Sequence, residues 1–375
     1  MSRTKVAITG GYGFLGWHTA CRLRALYDVE PVRLGRVDFA DPITLAAKLE
    51  GVDALVHIAG VNRANSDEAV ELGNIDLART LAGVLRHLKR PIDVSYANSV
   101  HARSDSAYGR GKAAAAALLR EAVQESGGQF ADLLLPNLFG EHGRPGYNSF
   151  VATFVHDVIN GREPTVSDDR EIALLHVQDA AEHLINALGG NETRVVDGET
   201  ILISEVLRTI KGMHSIYETR GEIPDISTLT KRNLFNTYRA AAFPDMWPLS
   251  PQVHTDGRGD LFETVRSHGG RGMAFMSTTL PGSTRGEHYH LHKVERFFVI
   301  RGEAEIDLRR LLHNEVVTFR LSGDAPSFVD MPTLWVHNIR NVGNTELVTM
   351  FWADQLLDLG NPDQYSETIV QKATV

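Results

Sequence analysis

The spacing of apolar runs changes along this chain of 375 residues, and that change constrains the fold more than any other feature. Up to about residue 190, short apolar runs alternate with helical patterns. The runs that predict buried strands are 5–9, 54–58, 92–96 and 132–135, and the helical patterns are 18–26, 43–49, 76–88 and 111–126. Such alternation predicts an α/β domain with a Rossmann-type, doubly wound parallel sheet.

The remainder of the chain has a different rhythm. Residues 191–245 are helical and irregular, and the three prolines within 243–251 predict a linker. Beyond it, runs separated by Gly, Asp and Asn predict strands at 273–279, 296–301, 304–308, 315–320 and 347–351. We therefore predict two domains: residues 1–245, with a substrate-binding part at about 134–245, and an all-β sandwich or barrel at 246–375.

Charge and cysteine content exclude some functions. A net charge of −9 argues against general nucleic-acid binding, which requires a basic surface. Cys21 is the single cysteine, so no intramolecular disulfide can form, which favours a reducing compartment. No apolar run approaches the ~20 residues that span a bilayer, and the N-terminus leads into a strand rather than a signal peptide. We predict a cytoplasmic protein, with peripheral attachment to a membrane complex left open.

A glycine-spaced loop follows the first predicted strand and opens a helix. Glycines at this position allow a tight turn and let a pyrophosphate approach the positive end of the helix dipole. Glycines are common at such turns, so the loop alone is weak support. The predicted cofactor contacts in this loop are Gly10, Gly13, Phe14, Leu15 and Gly16.

A tyrosine and a lysine provide the second element of the same site. Tyr108 and Lys112 are four residues apart and share one face of a helix. We expect the ammonium to lower the pKa of the phenol, so that Tyr108 can pass a proton to a carbonyl oxygen near neutral pH. Ser99 follows a predicted strand and can hydrogen-bond the same oxygen. The alternative is an ordinary surface Tyr–Lys pair.

The end of the second predicted strand bears on the choice of nicotinamide cofactor. Sites for NAD place a carboxylate on the ribose hydroxyls there, whereas this stretch contains Arg33 and Arg36. Arginine suits the additional phosphate of NADP(H), which we predict as the cofactor. Alternatively, both arginines face solvent. Asp38 is a predicted contact to the adenine.

These residues resemble the short-chain dehydrogenase/reductase superfamily, in particular its extended members that act on nucleotide sugars. The segment 55–60 fits the part of that family that lines the cofactor, which implies Ala59 and Gly60 as further contacts. The resemblance implies that Tyr108 is the catalytic acid/base and that Lys112 positions the nicotinamide ribose. It also implies that Ser99 orients the substrate.

A second constellation lies in the all-β part. His288 and His290 project from the same side of a predicted strand, Glu295 begins the next one, and His337 lies in a distant one. Three imidazoles and a carboxylate suit Zn²⁺ or another first-row metal. His292 shares their face and could replace one of them, or lie outside the ligand set. The four residues, framed by glycines and a proline, resemble the cupin signature, from which Leu334 departs because that position normally holds glycine.

A further resemblance leaves the role of His288 open. Residues 256–263 and 285–289 resemble nucleotide-sugar 3,5-epimerases, which are metal-free cupins. In that family the histidine that matches His288 abstracts a proton beside a ketone. A histidine cannot readily serve both as metal ligand and as that base. Either a metal polarises the ketone as a Lewis acid, or the metal-free epimerase mechanism is kept.

Over residues 1–370 the chain resembles the bifunctional capsular polysaccharide synthesis enzymes of the CapF family and their O-antigen relatives. The segments that carry this resemblance are 60–63, 136–140, 147–154 and 337–341. It implies C3 epimerisation of a UDP-2-acetamido-2,6-dideoxy-4-hexulose in the cupin, then NADPH-dependent reduction at C4 to UDP-N-acetyl-6-deoxy-L-talosamine. That product is a precursor of UDP-N-acetyl-L-fucosamine. We also expect a homodimer, formed through the cupin.

The residues expected to grip the UDP-sugar are Arg63, Asn137, Tyr147 and Asn148, with loop capping and ordinary packing as the alternative roles. Rival functions are a 4-ketoreductase whose cupin only binds or dimerises, and an iron dioxygenase fused to a dehydrogenase. A purely structural or binding protein is the third alternative.

Overall fold

The computed structural model describes residues 5–256, 259–356, 358 and 360–369. Gly257 and Arg258, part of the epimerase-like segment, lie outside the described residues. The contacts group the chain into two compact units. The first is Met1–Phe139, Gly146–Ser149 and Arg170–Leu202, and the second is Gly140–Pro145, Phe150–Asp169 and Ile203–Val375.

The elements have the following bounds. The strands are β1 (Val6–Thr9), β2 (Val32–Leu34), β3 (Ala54–His57), β4 (Asp93–Ser99), β5 (Phe130–Leu135), β6 (Asn137–Phe139), β7 (Glu171–His176), β8 (Thr193–Val195), β9 (Glu199–Leu202), β10 (Val253–Asp256), β11 (Gly259–Phe262), β12 (Met273–Thr279), β13 (Thr284–Tyr289), β14 (Glu295–Arg301), β15 (Glu303–Arg310), β16 (Val316–Ser322), β17 (Phe328–Met331), β18 (Trp335–Asn341), β19 (Leu347–Ala353) and β20 (Tyr365–Ser366). The helices are α1 (Phe14–Tyr27), α2 (Arg36–Phe39), α3 (Pro42–Leu49), α4 (Asp67–Leu88), α5 (Ala107–Glu125), α6 (Phe150–Ile159), α7 (Val177–Asn186), α8 (Ile203–Arg220) and α9 (Leu229–Ala242).

The first unit is built on a six-stranded sheet with the order β2-β1-β3-β4-β5-β8. All neighbouring strands in it are parallel, which confirms the predicted Rossmann-type architecture. Its apolar core combines strand residues such as Leu55 and Val94 with helix residues such as Leu81 and Leu119. The small sheet β6-β7-β9 completes the strands of this unit.

Serine caps determine where two helices begin. The hydroxyl of Ser66 accepts the N–H of Ala69 at 3.1 Å and begins α4. The hydroxyl of Ser106 accepts the N–H of Gly109 at 3.0 Å and begins α5. α4 and α5 therefore begin at Asp67 and Ala107, and the predicted starts at 76 and 111 were too late.

The second unit contains two packed β-sheets of a cupin barrel, ordered β12-β19-β14-β17 and β16-β15-β18-β13-β20, together with the hairpin β10-β11. This confirms the predicted all-β cupin fold. Between the sheets lie buried aromatic and aliphatic side chains, including Phe297 and Phe351, whose ring centroids are 4.6 Å apart. None of the helices in the described part of the chain combines the length and the apolar character needed to cross a bilayer.

The two contact-based units do not meet at the domain boundary predicted after residue 245. That boundary stays a prediction. The helices α8 and α9 group with the second unit, although the sequence analysis assigned them to the first domain. The proline-rich stretch at 243–251 also lies in the second unit, and its Phe243 ring packs 4.6 Å from that of Trp335. Proline marks an irregular backbone, and here that backbone carries buried aromatic side chains.

Candidate active sites

The glycine loop lies at the carboxyl end of β1, where ligands bind in doubly wound sheets. Gly10 has a positive φ of 66°, which L side chains rarely adopt. A Cβ on Gly16 would lie 2.1 Å from the carbonyl oxygen of Gly10, so only glycine lets α1 approach the loop this closely. Gly13 is the N-cap of α1, and Phe14 and Leu15 form the first turn. The loop therefore forms an open cradle that could hold a pyrophosphate.

Thr9 joins this loop to the end of β3, a role that the sequence analysis missed. Its Oγ1 accepts the N–H groups of Ile58 and Ala59 at 3.0 and 3.1 Å. The hydroxyl proton is therefore free to be donated to Nδ1 of His57, which lies 2.7 Å away. Burial lowers the pKa of His57 to about 3, with a smaller contribution from Lys112, so the ring is neutral. These bonds hold the segment that contains Ala59 and Gly60.

Tyr108 and Ser99 are brought together by α5 and β4. The Ser99 side chain lies close enough to the Tyr108 phenol to affect its pKa. Burial raises the pKa of Tyr108 above its usual value, and Ser99 lowers it only in part. The phenol therefore carries its proton at neutral pH, as a proton donor must.

Lys112 lies one turn beyond Tyr108 in α5, but the expected lowering of the Tyr108 pKa by its ammonium is not found. Nζ of Lys112 instead donates to the carbonyl oxygen of Ala97 at 2.6 Å and lies 4.1 Å from the ring centroid of Tyr96. Burial lowers the pKa of Lys112 to about 7, while the carboxylate of Asp132 opposes that shift.

Asp132 and Asn98 form a buried network that the sequence analysis also missed. Nδ2 of Asn98 donates to Oδ1 of Asp132 at 2.8 Å, and Oδ1 of Asn98 accepts the N–H of Ser99 at 2.8 Å. Burial raises the pKa of Asp132, and the Asn98 bond, Arg120 and Lys112 act against this. The signal in the sequence was a single acid inside an apolar strand, which is rare without a partner.

The predicted cofactor-selecting residues surround the end of β2. The guanidinium of Arg33 lies 4.7 Å from the ring centroid of Tyr12, and Arg36 is exposed at the start of α2. Asp38 is buried, and its carboxylate accepts Nζ of Lys48 at 2.5 Å and the N–H of Gly35 at 2.6 Å. This acid is therefore engaged by protein groups, and its contact with an adenine stays a prediction.

Two of the four predicted substrate residues contact each other. The guanidinium of Arg63 lies 5.3 Å from the ring centroid of Tyr147 and donates to the carbonyl oxygen of Gly146 at 3.1 Å. Asn148 follows Tyr147 and is exposed, whereas Asn137 is half-buried at the start of β6. Their roles in binding stay predictions.

In the second unit, His288, His290, Glu295 and His337 form one cluster. Atoms that could bind a metal, one from each residue, all lie within 4.8 Å of one another. His288 in β13 pairs across the sheet with His337 in β18, and His290 follows directly after β13. Oε2 of Glu295 lies 2.9 Å from Nε2 of His290 and 3.5 Å from Nε2 of His337. Three imidazoles and one carboxylate that converge in this way suit a divalent metal.

The protonation of these groups also suits metal binding. Burial and then the neighbouring histidines lower the pKa of His288 to about 3, and burial also lowers the pKa of His337. Burial alone would raise the pKa of Glu295, but His290 and then His337 hold it well below its usual value. A neutral imidazole and an ionised carboxylate are the forms that bind metals.

Hydrogen bonds select the nitrogen that each ring presents. Nδ1 of His290 lies 2.5 Å from the carbonyl oxygen of Asp363, and Nδ1 of His337 lies 3.0 Å from that of Trp335. A carbonyl only accepts, so each Nδ1 carries the proton and each Nε2 is left for a metal.

The cluster does not include His292, the predicted alternative ligand. The strand β13 ends at Tyr289, so the alternation that placed His292 on the ligand face no longer applies. Leu334, at the position where the motif normally holds glycine, keeps a positive φ of 64° and is fully buried. The turn before His337 therefore keeps its left-handed backbone, at about 1–2 kcal/mol of conformational strain.

The fold and these sites define a short-chain dehydrogenase/reductase joined to a cupin, and comparison with known proteins agrees. Residues 6–203 match the NAD dependent epimerase/dehydratase family, and residues 254–365 match the polysaccharide biosynthesis C-terminal domain. The chain is 30% identical to UDP-2-acetamido-2,6-beta-L-arabino-hexul-4-ose reductase from Pseudomonas aeruginosa, across 98% of this chain and 100% of the relative.

Solved structures extend the comparison. The crystal structure of the capsular polysaccharide assembling protein CapF from Staphylococcus aureus is 28% identical, with a TM-score of 0.63 across 97% of this chain and 100% of that one. UDP-glucose 4-epimerase from Thermotoga maritima, 16% identical with a TM-score of 0.50, covers 56% of this chain and 83% of its own and shows the fold alone. The chain belongs to the NAD dependent epimerase/dehydratase family and, over 97–98% of its length, to the CapF family. It is an oxidoreductase of the short-chain dehydrogenase/reductase type.

Proposed function

We propose that the chain epimerises C3 of a UDP-2-acetamido-2,6-dideoxy-4-hexulose in its cupin and then reduces C4 with NADPH in its Rossmann-type unit. The product is UDP-N-acetyl-6-deoxy-L-talosamine. The observation that carries the proposal is the presence, within one chain, of a buried Tyr108 beside Ser99 and of a convergent His₃Glu cluster. The relative from Pseudomonas aeruginosa, named for the reduction of a UDP-linked hexul-4-ose, supports the substrate class.

The reductase step rests on Tyr108. NADPH supplies the hydride that reduces C4. Tyr108 donates its phenolic proton to the C4 oxygen, and Ser99 orients that oxygen by a hydrogen bond. The high pKa of the buried phenol favours this direction, because the protonated form predominates before reduction. Lys112, in its charged form, holds the nicotinamide ribose.

The choice of NADPH rests on charge at the end of β2. Arg36 is exposed there, and Arg33 lies against Tyr12, so both guanidinium groups are available to a 2′-phosphate. Asp38, an acid near this end of β2, is paired with Lys48, which reduces its repulsion of a phosphate. At the substrate end, Arg63, Asn137, Tyr147 and Asn148 are proposed to grip the UDP-sugar.

The epimerase step rests on His288, His290, Glu295 and His337, which would hold a divalent metal, zinc in our proposal. The metal would supply a Lewis acid that polarises the C4 ketone and so acidifies the proton at C3. Removal of that proton from one face and its return to the other inverts C3 without a change in oxidation state. In this metal-dependent mechanism His288 is a metal ligand, and a different residue acts as the base at C3.

The test is incubation with UDP-4-keto-6-deoxy sugars and NADPH in D₂O, followed by NMR of the sugar. We expect wild type to incorporate deuterium at C3 and to reduce C4. H290Q should lose C3 exchange, and Y108F should lose reduction but retain C3 exchange. H156Q and Y27F, at partly exposed residues outside both sites, are the matched controls. Exchange at C3 that survives H290Q at the wild-type rate would refute the metal-centred step.

A second candidate is a 4-ketoreductase whose cupin takes no part in chemistry. The name of the Pseudomonas aeruginosa relative, which mentions only reduction, favours it. Reduction at C4 by wild-type protein without any C3 exchange would establish this alternative. Metal analysis with oxygen consumption separates both from an iron dioxygenase.

We also propose that a second copy of the chain pairs with the cupin. β12 is an edge strand of its sheet, with Phe275 and Met276 exposed at 39% and 67%. Apolar residues on an open edge favour pairing with another chain, and identical copies commonly form two-fold dimers. A single substitution, M276E, should shift the protein toward monomer in sedimentation velocity, and an unchanged distribution would contradict this interface. The cytoplasmic location stays a prediction.

A further inference from the structure

In the loop between two of the clustered residues, every backbone N–H group donates to a carboxylate. Residues 291–294 connect His290 with Glu295. Their successive N–H groups point to acids near the end of the chain. Leu291 donates to Oδ1 of Asp363 at 2.9 Å, His292 and Lys293 donate to its Oδ2 at 3.0 and 2.9 Å, and Val294 donates to Oδ1 of Asp354 at 2.9 Å. Consecutive N–H groups of this kind form a concave anion-binding turn, here filled by the protein itself.

Asp363 contacts a ligand as well as the loop. Its carbonyl oxygen lies 2.5 Å from Nδ1 of His290, so it accepts the proton on that nitrogen. Asp363 is buried and has a positive φ of 44°, a backbone conformation that Asp tolerates better than most residues. The carboxylate of Asp363 therefore fixes the backbone that follows His290. The carbonyl group of the same residue fixes the tautomer of the His290 ring.

The segment after Asp363 is anchored independently. Tyr365 and Ser366 pair with β13. The carboxylate of Glu367 accepts Nη2 of Arg309 at 2.9 Å, and the N–H of Ile369 donates to Oε2 of Glu287 at 2.9 Å. These anchors do not involve the loop 291–294. They hold the segment in place, while Asp363 contacts the cluster.

We infer that Asp363 is a positioning residue for the metal centre, which it serves by holding the loop 291–294 and by presenting Nε2 of His290 to the metal. This inference rests on the proposed metal site. Groups that orient a metal-binding imidazole from outside the ligand set typically change metal affinity about 10- to 100-fold when they are removed. Asp363 bonds a ligand ring directly and also bonds the loop beside it.

The test compares two substitutions at this position with one at an anchor. D363G removes the carboxylate while keeping both the carbonyl and a residue suited to positive φ. D363N keeps the shape but puts an amide NH₂ where an acceptor is needed. E367A removes the Arg309 ion pair and leaves the loop untouched, so it controls for loosening of the segment. Zinc affinity is measured by competition with a chromophoric chelator. NMR of ¹⁵N-histidine protein, assigned with H290Q, follows the hydrogen-bonded Nδ1–H of His290.

We expect D363G to raise the zinc Kd about 10- to 100-fold and D363N to raise it less, with E367A close to wild type. The His290 Nδ1–H signal should exchange faster in D363G and remain protected in E367A. The inference would be overturned if D363G had the zinc affinity and the His290 Nδ1–H signal of wild type. It would also be overturned if E367A lost as much zinc affinity as D363G. If wild type binds no zinc, the proposed metal site fails, and the Nδ1–H comparison alone decides the role of Asp363.

Discussion

The buried Lys112 should lower the free energy of unfolding by an amount that depends on pH, and its replacement by methionine should remove that dependence. The side chain is 3% exposed, and burial lowers the pKa of Lys112 to about 7 from 10.5. In the unfolded chain this lysine is charged throughout the neutral range. Between pH 7 and 10.5 the unfolded state therefore binds more protons than the folded state, so stability rises with pH in that window.

The magnitude follows from the two pKa values. Linkage gives a loss of unfolding free energy from this lysine of about 4 kcal/mol at pH 7 and about 2 kcal/mol at pH 9. At pH 7, K112M avoids that loss but forfeits the bond to the Ala97 carbonyl oxygen and the contact with the Tyr96 ring, each worth about 2 kcal/mol. The net change at one pH is therefore small. From pH 7 to pH 9 the unfolding free energy of wild type should rise by about 2 kcal/mol relative to that of K112M.

Cys21 provides an assay confined to the first unit. It is the only cysteine in the chain, and it is fully buried in α1. Cofactor-free protein is equilibrated in urea at pH 7 and at pH 9, pulsed with a thiol reagent, and the labelled fraction is read by mass spectrometry. K48M is the control, because the hydrogen bond that Lys48 donates to the Asp38 carboxylate raises the pKa of Lys48 and keeps its ammonium charged at both pH values. Its difference from wild type should not change with pH. A K112M difference that is also constant with pH would show that burial does not lower the pKa of Lys112.

The other predictions concern the reductase site. Y108F should retain NADPH binding and lower the rate of ketone reduction about 10²- to 10⁴-fold, measured by loss of NADPH absorbance, and a near-normal rate would exclude Tyr108 as the acid. R36A should weaken NADPH binding more than NADH binding in fluorescence titrations, and equal losses would argue against a phosphate contact. D132N should shift the alkaline limb of the kcat/KM profile to lower pH, because the Asp132 carboxylate raises the pKa of Lys112. An unmoved limb would contradict that coupling.

The fold could be predicted because its signals are local. Strands and helices alternate up to about residue 190, and short strands follow one another after the proline-rich stretch, so an error at one boundary does not change the predicted fold class. The exact starts of α4 and α5 were missed because they depend on single caps, Ser66 and Ser106. The assignment of α8 and α9 to the second unit depends on packing between distant segments, which no local pattern reports.

Part of each candidate site could be predicted from short spacings, because His288 and His290 are two residues apart and Tyr108 and Lys112 are one turn apart in α5. Glu295 and His337 lie in other strands, and only the resemblance to the cupin signature indicated them. The partners of those side chains could not be predicted. Asp363 reaches His290 from 73 positions away in sequence, and Asp132 reaches Asn98 from a neighbouring strand. The expected effect of Lys112 on Tyr108 failed for the same reason. Helical spacing places the two residues on one face, but the carbonyl group of Ala97 determines where the ammonium points.

Burial shifts pKa values at both sites, downward for the histidines and upward for the tyrosine. In the cupin it lowers the pKa of His288 and His337, which leaves the neutral imidazoles that a metal requires. In the Rossmann-type unit it raises the pKa of Tyr108, which keeps the proton that reduction requires. At Lys112, as at Glu295 in the cupin, burial opposes the form that the proposed reaction requires, because the ribose contact needs an ammonium and metal binding needs a carboxylate. The buried carboxylate of Asp132 acts against this effect at Lys112, because its negative charge raises the pKa of the lysine and so favours the ammonium. An acid in the middle of an apolar strand is thus explained by the lysine it supports.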